Sequence, residues 1–221
     1  MQDLIKQECF ELEVLDRLNS QKILSNLVFS GGTMLRLCYG LNRFSLDLDF
    51  WVIKKLDQNK LYRELKEYLS QFYSLTDYAN KFYTLIFEIK SRDYPRRLKI
   101  EIRKEMKKIK TAQAIAYSPY ANTQVLMKVV SLEDMMQSKI EAFLKRKEIR
   151  DVFDMEFLLK KGVTLNAPLK TLKQLLQEIA TLGVKDYRVK LGSILEEPQR
   201  KYYLRENFKI LKSAIQEKLA V

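Results

Sequence analysis

Gly31 and Gly32 stand between a short apolar run, Leu27-Val28-Phe29, and a helical restart at Met34-Leu35-Arg36-Leu37. The chain has 221 residues but only six glycines and four prolines, and three of those glycines fall within residues 31–40. A chain this poor in turn-forming residues folds into long helices with few irregular loops. The glycine pair therefore marks a local demand on the backbone, a tight turn from strand to helix. Backbone N–H groups in such a turn, together with the helix N-terminus, can also cradle a phosphate. Thr33 is placed to cap that helix and to offer a hydroxyl to the same phosphate.

Around this unit the patterning divides the chain. Residues 3–25 carry helical periodicity, with Leu4, Ile5, Phe10, Leu12, Leu15, Leu18 and Ile23 near a 3.6 repeat. Gly40 can end the helix after Gly32. Alternation predicts strands over 46–53, 82–89 and 97–103, with a further short one over 124–130 and a helix over 57–73. From Leu132 onward, residues 132–148, 150–160, 168–181 and 199–219 all read as helices. The expected architecture is α+β. A small mixed-sheet domain with flanking helices spans residues 1–130, and a helical C-terminal domain spans 131–221. With 47% apolar and 31% charged residues, the balance is that of a folded rather than a disordered chain.

The chain contains no histidine, which removes Ser-His-Asp and Cys-His catalysis and histidine zinc sites. Two cysteines, Cys9 and Cys38, are too few for an all-cysteine metal site and fit a reducing compartment. No run of 18 apolar residues and no signal-peptide core is present, so a cytoplasmic, membrane-free setting is expected. Carboxylates, lysines and bound metal are the remaining chemical resources. The net charge of +12 fits a polyanionic partner or a lysine-rich surface; residues 96–110 alone hold eight basic and two acidic residues.

Asp47 and Asp49 are two apart on a predicted strand, so both carboxylates project from one face while Leu46, Leu48 and Phe50 face the core. Two like charges so placed repel unless a cation separates them, and Mg²⁺ takes a few carboxylates plus substrate phosphate oxygens. A solvated strand face is the plainer reading, although Trp51, Val52 and Ile53 continue the strand as an interior one. Glu101 would add a third carboxylate if its strand lay beside the first, and two ions could then be held. It could equally pair with Lys99 or Arg103. Further on, Lys139 lies beside an apolar helical stripe that includes Met135 and Phe143, able to reach a triphosphate or simply to snorkel. Ser131 is a reasonable cap for that helix, and Asp151 can serve as a helix-start acid. Asp154 sits beside the buried stripe of Phe153, Phe157 and Leu158. Lys145, Arg146, Lys147 and Arg150 form a second basic cluster.

Gly31-Gly32-Thr33 followed by Arg43-Phe44-Ser45-Leu46-Asp47-Leu48-Asp49-Phe50 resembles the polymerase-beta-like nucleotidyltransferase superfamily, and within it the AbiEii/AbiGii toxin family. Lys99-Ile100-Glu101-Ile102 matches that family's later acid-bearing strand, with Glu in place of Asp. Lys139 and Arg150-Asp151-Val152-Phe153-Asp154 match its helical motifs. The resemblance implies a nucleotidyltransferase sheet and a helical domain with an NTP between them. It implies Mg²⁺ at Asp47, Asp49 and Glu101, and a nucleotide bound by Gly31, Gly32, Thr33, Arg43, Ser45 and Lys139. Lys139 and Asp154 join the two aspartates in catalysis. A separately encoded antitoxin and an RNA acceptor, with a transfer RNA 3′ end foremost, are the implied partners. Protein-directed nucleotidyl transfer, and a non-catalytic nucleic-acid-binding module of the same fold, are the alternatives.

Overall fold

The computed structural model describes residues 2–106 and 108–220. Its contacts divide the chain into two compact units, Met1–Ser131 and Leu132–Val221. The first is a mixed α/β unit. It opens with α1 (Gln2–Ser20), then β1 (Leu27–Ser30), α2 (Gly31–Tyr39), β2 (Asp47–Val52) and α3 (Gln58–Ser70). Five strands follow: β3 (Ser74–Asn80), β4 (Thr84–Lys90), β5 (Leu98–Arg103), β6 (Thr111–Ala116) and β7 (Val125–Val130). The first helix is shorter than its periodicity predicts. Lys22 adopts a left-handed φ of 57°, and Ile23–Asn26 form a 3-10 turn that leads directly into β1.

The seven strands make one sheet in the order β3-β4-β5-β2-β1-β7-β6. β2 is flanked by antiparallel β1 and parallel β5, which makes it an interior strand. Its register aligns Asp47 with Lys99, Asp49 with Glu101 and Trp51 with Arg103. Residues directly opposite each other share a face. On one face lie Leu48, Phe50, Leu85, Phe87, Leu98 and Ile100, all essentially inaccessible. Helices α1, α2 and α3 pack against the sheet, and Tyr62 of α3 meets Phe87 with ring centroids 5.3 Å apart. Burying that face is the main stabilisation of the unit, at about 25 cal/mol per Å² of apolar surface. The alternate positions, Asp47, Asp49, Lys99 and Glu101, are only half-buried.

β3 and β6 are the edges of the sheet, and the sequence does not announce either. Ser74–Asn80 is exposed or half-buried throughout, and Thr111–Ala116 buries only its last residue. Hydrophobic alternation marks strands with one face in a core, so edge strands of this kind escape it. α1 is tied to this part of the unit by Glu13, whose carboxylate accepts from Tyr73 Oη at 2.7 Å and Tyr94 Oη at 2.8 Å.

The second unit is helical: α4 (Leu132–Arg146), α5 (Ile149–Lys160), α6 (Leu169–Ala180), a π-helical segment Asp186–Leu191, α7 (Glu197–Glu206) and α8 (Lys209–Ala220). The single helix expected over 199–219 is thus two. Asn207 and Phe208 take left-handed φ values of 49° and 53°, and Phe208 turns fully into the core against Tyr187 and Tyr203. Burying that ring outweighs the cost of the unfavourable backbone. The new helix start is satisfied from a distance, because Glu156 Oε2 on α5 accepts from Leu211 N at 3.2 Å. A first-turn N–H group of α8 thereby finds the partner that helix ends otherwise lack.

Candidate active site

The glycine pair is explained by what packs on it. Gly31 sits at the start of α2 with φ +79°, a left-handed value that glycine alone adopts cheaply. A Cβ there would overlap Asp49 Oδ2 and lie 3.0 Å from Asp49 Cβ. A Cβ on Gly32 would overlap the Arg43 guanidinium and lie 2.8 Å from Ser45 Oγ. The helix N-terminus is therefore laid against Asp49 on one residue and against Arg43 and Ser45 on the next. Arg43 is buried and donates to Phe44 O at 2.9 Å. Thr33 is not the cap that was expected. It lies inside α2, with Ser30 at the N-cap position, and its hydroxyl donates to Asp47 O at 2.5 Å. Ser30 Oγ donates likewise to Asp49 O at 3.2 Å. Two hydroxyls thus pin the backbone of the Asp47–Asp49 stretch to the β1–α2 turn.

Asp47 and Asp49 share a face of β2 as their spacing predicted, and Glu101 is in register with Asp49 on the same face. The Glu101 carboxylate, however, is engaged: Lys99 Nζ donates to its Oε2 at 2.7 Å. Among the described residues no three Asp, Glu or Cys side chains converge closely enough to hold a metal ion. The ion-pair reading of Glu101 describes its side chain here. Lys99 is the residue whose part was underestimated. The hydrogen bond it donates to Glu101, followed by the charges of Glu101, Asp47 and Asp49, raises its pKa despite partial burial. Its ammonium lies in the field of all three carboxylates. The signal was in the sequence, since Lys99 and Glu101 are two apart on one strand.

The two aspartates nonetheless fit a divalent cation. Both are hard oxygen donors on one face, and they lie beside a helix N-terminus stripped of Cβ. Mg²⁺ commonly uses one or two carboxylates and completes its shell with substrate phosphate oxygens.

Behind the site lies a feature that sequence reading missed. Glu8 and Glu11 of α1 are buried, as is Gln7. Glu8 forms an ion pair with Arg36 of α2, and Arg36 also stacks on Phe44 at 3.9 Å and donates to Leu41 O at 3.2 Å. Glu11 is completely inaccessible, and neither carboxyl oxygen has a hydrogen-bond partner. Burial first, then the charges of Glu8 and Asp47, raise its pKa well above the ordinary carboxylate range against the opposing pull of Arg36. An i, i+3 pair of acids in a helix otherwise rich in leucine was the available clue. Neither cysteine is an activated nucleophile. Both thiols are free, and burial pushes Cys38 up to about 12.

In the second unit, Lys139, Asp151 and Asp154 come together. Lys139 Nζ lies 2.7 Å from Asp154 Oδ2 and 3.4 Å from Asp151 Oδ1. Asp151 in turn receives Arg146 through two bonds, of 2.8 and 2.7 Å. Both aspartates are wholly inaccessible and Lys139 is 6% exposed. The N-cap position of α5 belongs to Glu148, so the Asp151 carboxylate serves the ion cluster rather than a cap. The Lys139 ammonium is not loosely extended over the core edge; two carboxylates hold it.

A family profile described as "Nucleotidyl transferase AbiEii toxin, Type IV TA system" matches residues 13–218. Two crystal structures from Helicobacter pylori share the fold, each over 95% of this chain at 22% identity and a TM-score of 0.57. One is JHP933, with 94% of its own chain covered. The other, assigned as a nucleotidyltransferase, is covered over 96%. No curated protein matches the chain. No helix among the described residues is long and apolar enough to cross a membrane.

Proposed function

The chain belongs to the AbiEii family of nucleotidyl transferase toxins of type IV toxin–antitoxin systems, and from that premise we propose that it transfers a nucleoside monophosphate from an NTP to an RNA acceptor, the 3′ end of a transfer RNA, in a Mg²⁺-dependent reaction. The observation that carries this reading is the interlock of Gly31 with Asp49 and of Gly32 with Arg43 and Ser45. It sets an anion-binding helix N-terminus beside a pair of carboxylates, the juxtaposition that phosphoryl chemistry requires.

In this mechanism the first N–H groups of α2, at Gly31 and Gly32, bind the triphosphate, and Arg43 and Ser45 fix that turn from the other side. Asp47 and Asp49 would hold the Mg²⁺, which supplies charge neutralisation at the phosphates and orients them. The acceptor hydroxyl oxygen bonds to the α-phosphorus, the bond from that phosphorus to the bridging oxygen breaks, and pyrophosphate leaves. With no histidine in the chain, the hydroxyl proton goes to a carboxylate. Glu101, opposite Asp49, is the residue assigned to it. Activity as a toxin in the cytoplasm, restrained by a cognate antitoxin, completes the proposal.

The test is incubation with labelled NTPs and total cellular RNA, comparing the native protein with Asp49→Asn. Label should enter RNA, be released by RNase and not by protease, and fall on the order of 10²–10³-fold in the variant. Equal labelling by both proteins would sink the mechanism, and protease-sensitive label would redirect it to a protein acceptor.

A further inference from the structure

The hairpin between β3 and β4 carries the two most exposed large apolar side chains among the described residues, Phe82 at 84% and Tyr83 at 72%. Their rings meet edge to face with centroids 4.6 Å apart. The exposure does not come from a loose loop. Lys81 N donates to Thr84 O at 2.9 Å and closes the turn, while Lys104 N donates to Tyr83 O at 3.0 Å and extends the β4–β5 ladder. Lys104 Nζ braces the hairpin through Asn80 Oδ1 and Lys81 O, and Asn80 is anchored in turn to Asn59 at 2.9 Å. The backbone that presents the two exposed rings is thus hydrogen-bonded on both sides.

Register places this tip. Asp47, Lys99 and Glu88 form one row across β2, β5 and β4; Trp51, Arg103 and Thr84 form a row four residues further along. At about 3.3 Å per residue the rows are some 13 Å apart, and the hairpin tip lies beyond the second. That end of the sheet is basic. Lys54 and Lys55 follow β2, Arg103 ends β5 with Lys104 just after it, and Lys81 is in the tip itself. The acids there are Glu105 and Asp57, and Asp57 is engaged as the N-cap of α3.

We infer that Phe82 and Tyr83, with Lys54, Lys55, Lys81 and Arg103 around them, form a second RNA contact at the end of the sheet opposite the carboxylates. Bases stack on the aromatic pair and phosphates lie along the lysines, the arrangement by which sequence-indifferent single-stranded sites bind. This rests on the RNA-acceptor reading above and adds to it. The reacting 3′ end occupies the Asp47–Asp49 row while an unpaired region further along the same RNA is held at the tip. Such a site selects acceptors long enough to bridge both ends and discriminates against short oligonucleotides.

The experiment measures binding of a fluorescently labelled transfer RNA transcript by anisotropy to the native protein, to Phe82→Ala/Tyr83→Ala and to Phe82→Trp/Tyr83→Trp, with melting curves for all three. Because both rings are in solvent, the melting temperatures should agree. Affinity should fall at least about tenfold in the alanine variant and be retained in the tryptophan variant. Labelling of an oligonucleotide carrying only the last four acceptor nucleotides should be unchanged. Undiminished transfer RNA affinity in the alanine variant overturns the inference and leaves the RNA-acceptor reading standing. No transfer RNA binding by the native protein overturns both. Intact RNA affinity with lost binding to phosphatidylserine vesicles would reassign the tip to a membrane surface.

Discussion

The two units handle buried negative charge in opposite ways. In the helical unit, Asp151, Asp154 and Glu156 are wholly inaccessible, and each has a cation built against it: Arg146, Lys139 and Lys160 respectively. In the sheet unit, Asp47 and Asp49 are only half-buried, and Lys99, the ion-pair partner of Glu101, feels their charge as well. The first arrangement neutralises charge so that a helix can enter a core. The second sets two carboxylates within reach of solvent beside the helix N-terminus of α2. Identical residue types therefore serve stability in one place and, on the proposed mechanism, chemistry in the other. The Lys139 cluster resembles an active site more closely in burial, but the Asp47–Asp49 face is the one that solvent reaches.

That contrast can be broken by substitution. Asp154→Ala should leave the Lys139 ammonium buried with its closest partner gone and cost about 3–5 kcal/mol, read as a large fall in the denaturant midpoint. Asp49→Asn, by contrast, should lose labelling activity while unfolding at nearly the native midpoint. If the two swapped behaviour, the division drawn between the units would be wrong. The double variant Lys139→Met/Asp154→Leu should recover most of the lost stability, since a well-packed apolar pair commonly replaces a buried ion pair at little cost.

A smaller effect is expected at Gly31. Gly31→Ala forces a left-handed backbone on a residue with a Cβ, at about 1–2 kcal/mol, and drives that Cβ into Asp49. Activity should fall far more than stability, because Asp49 must move. Gly40→Ala is the control. It shares a positive φ of 75°, but a Cβ there meets nothing within 4 Å, so it should show the stability loss without the activity loss.

The smallest effect is a pH dependence. Glu11 has a folded pKa raised above its unfolded value, so the folded state holds the extra proton. Its contribution to stability is complete below the unfolded value near 4.5 and declines as pH rises towards the folded value. Glu11→Gln removes that slope. The melting temperature of the variant relative to native should increase from pH 5 to pH 8, and a constant difference would show that Glu11 is not held neutral.

Much of the site was legible because it is local. Gly31, Gly32, Asp47 and Asp49 lie within 19 residues, and their placement follows from a strand–turn–helix unit and a period-two strand. Glu101 was located on the correct face by the same alternation, but its partner was decided by side-chain geometry, with Lys99 near enough to hold it. The edge strands β3 and β6 were invisible because their alternation carries no burial. The split of the last helix at Asn207 was invisible because it depends on Phe208 finding Tyr187 and Tyr203. Glu8 and Glu11 were read as parts of an ordinary amphipathic helix; only packing shows that their side of α1 is inside.

The sequence by itself determined the absence of imidazole chemistry, the mixed α/β then helical organisation, and a carboxylate pair next to a glycine turn, since all of these follow from composition and short-range spacing. The tertiary structure alone decided which acids are buried against a cation and which stay within reach of solvent. Coulomb energy depends on distances between residues far apart in the chain and on how much water lies between them, and neither quantity is written in residue order.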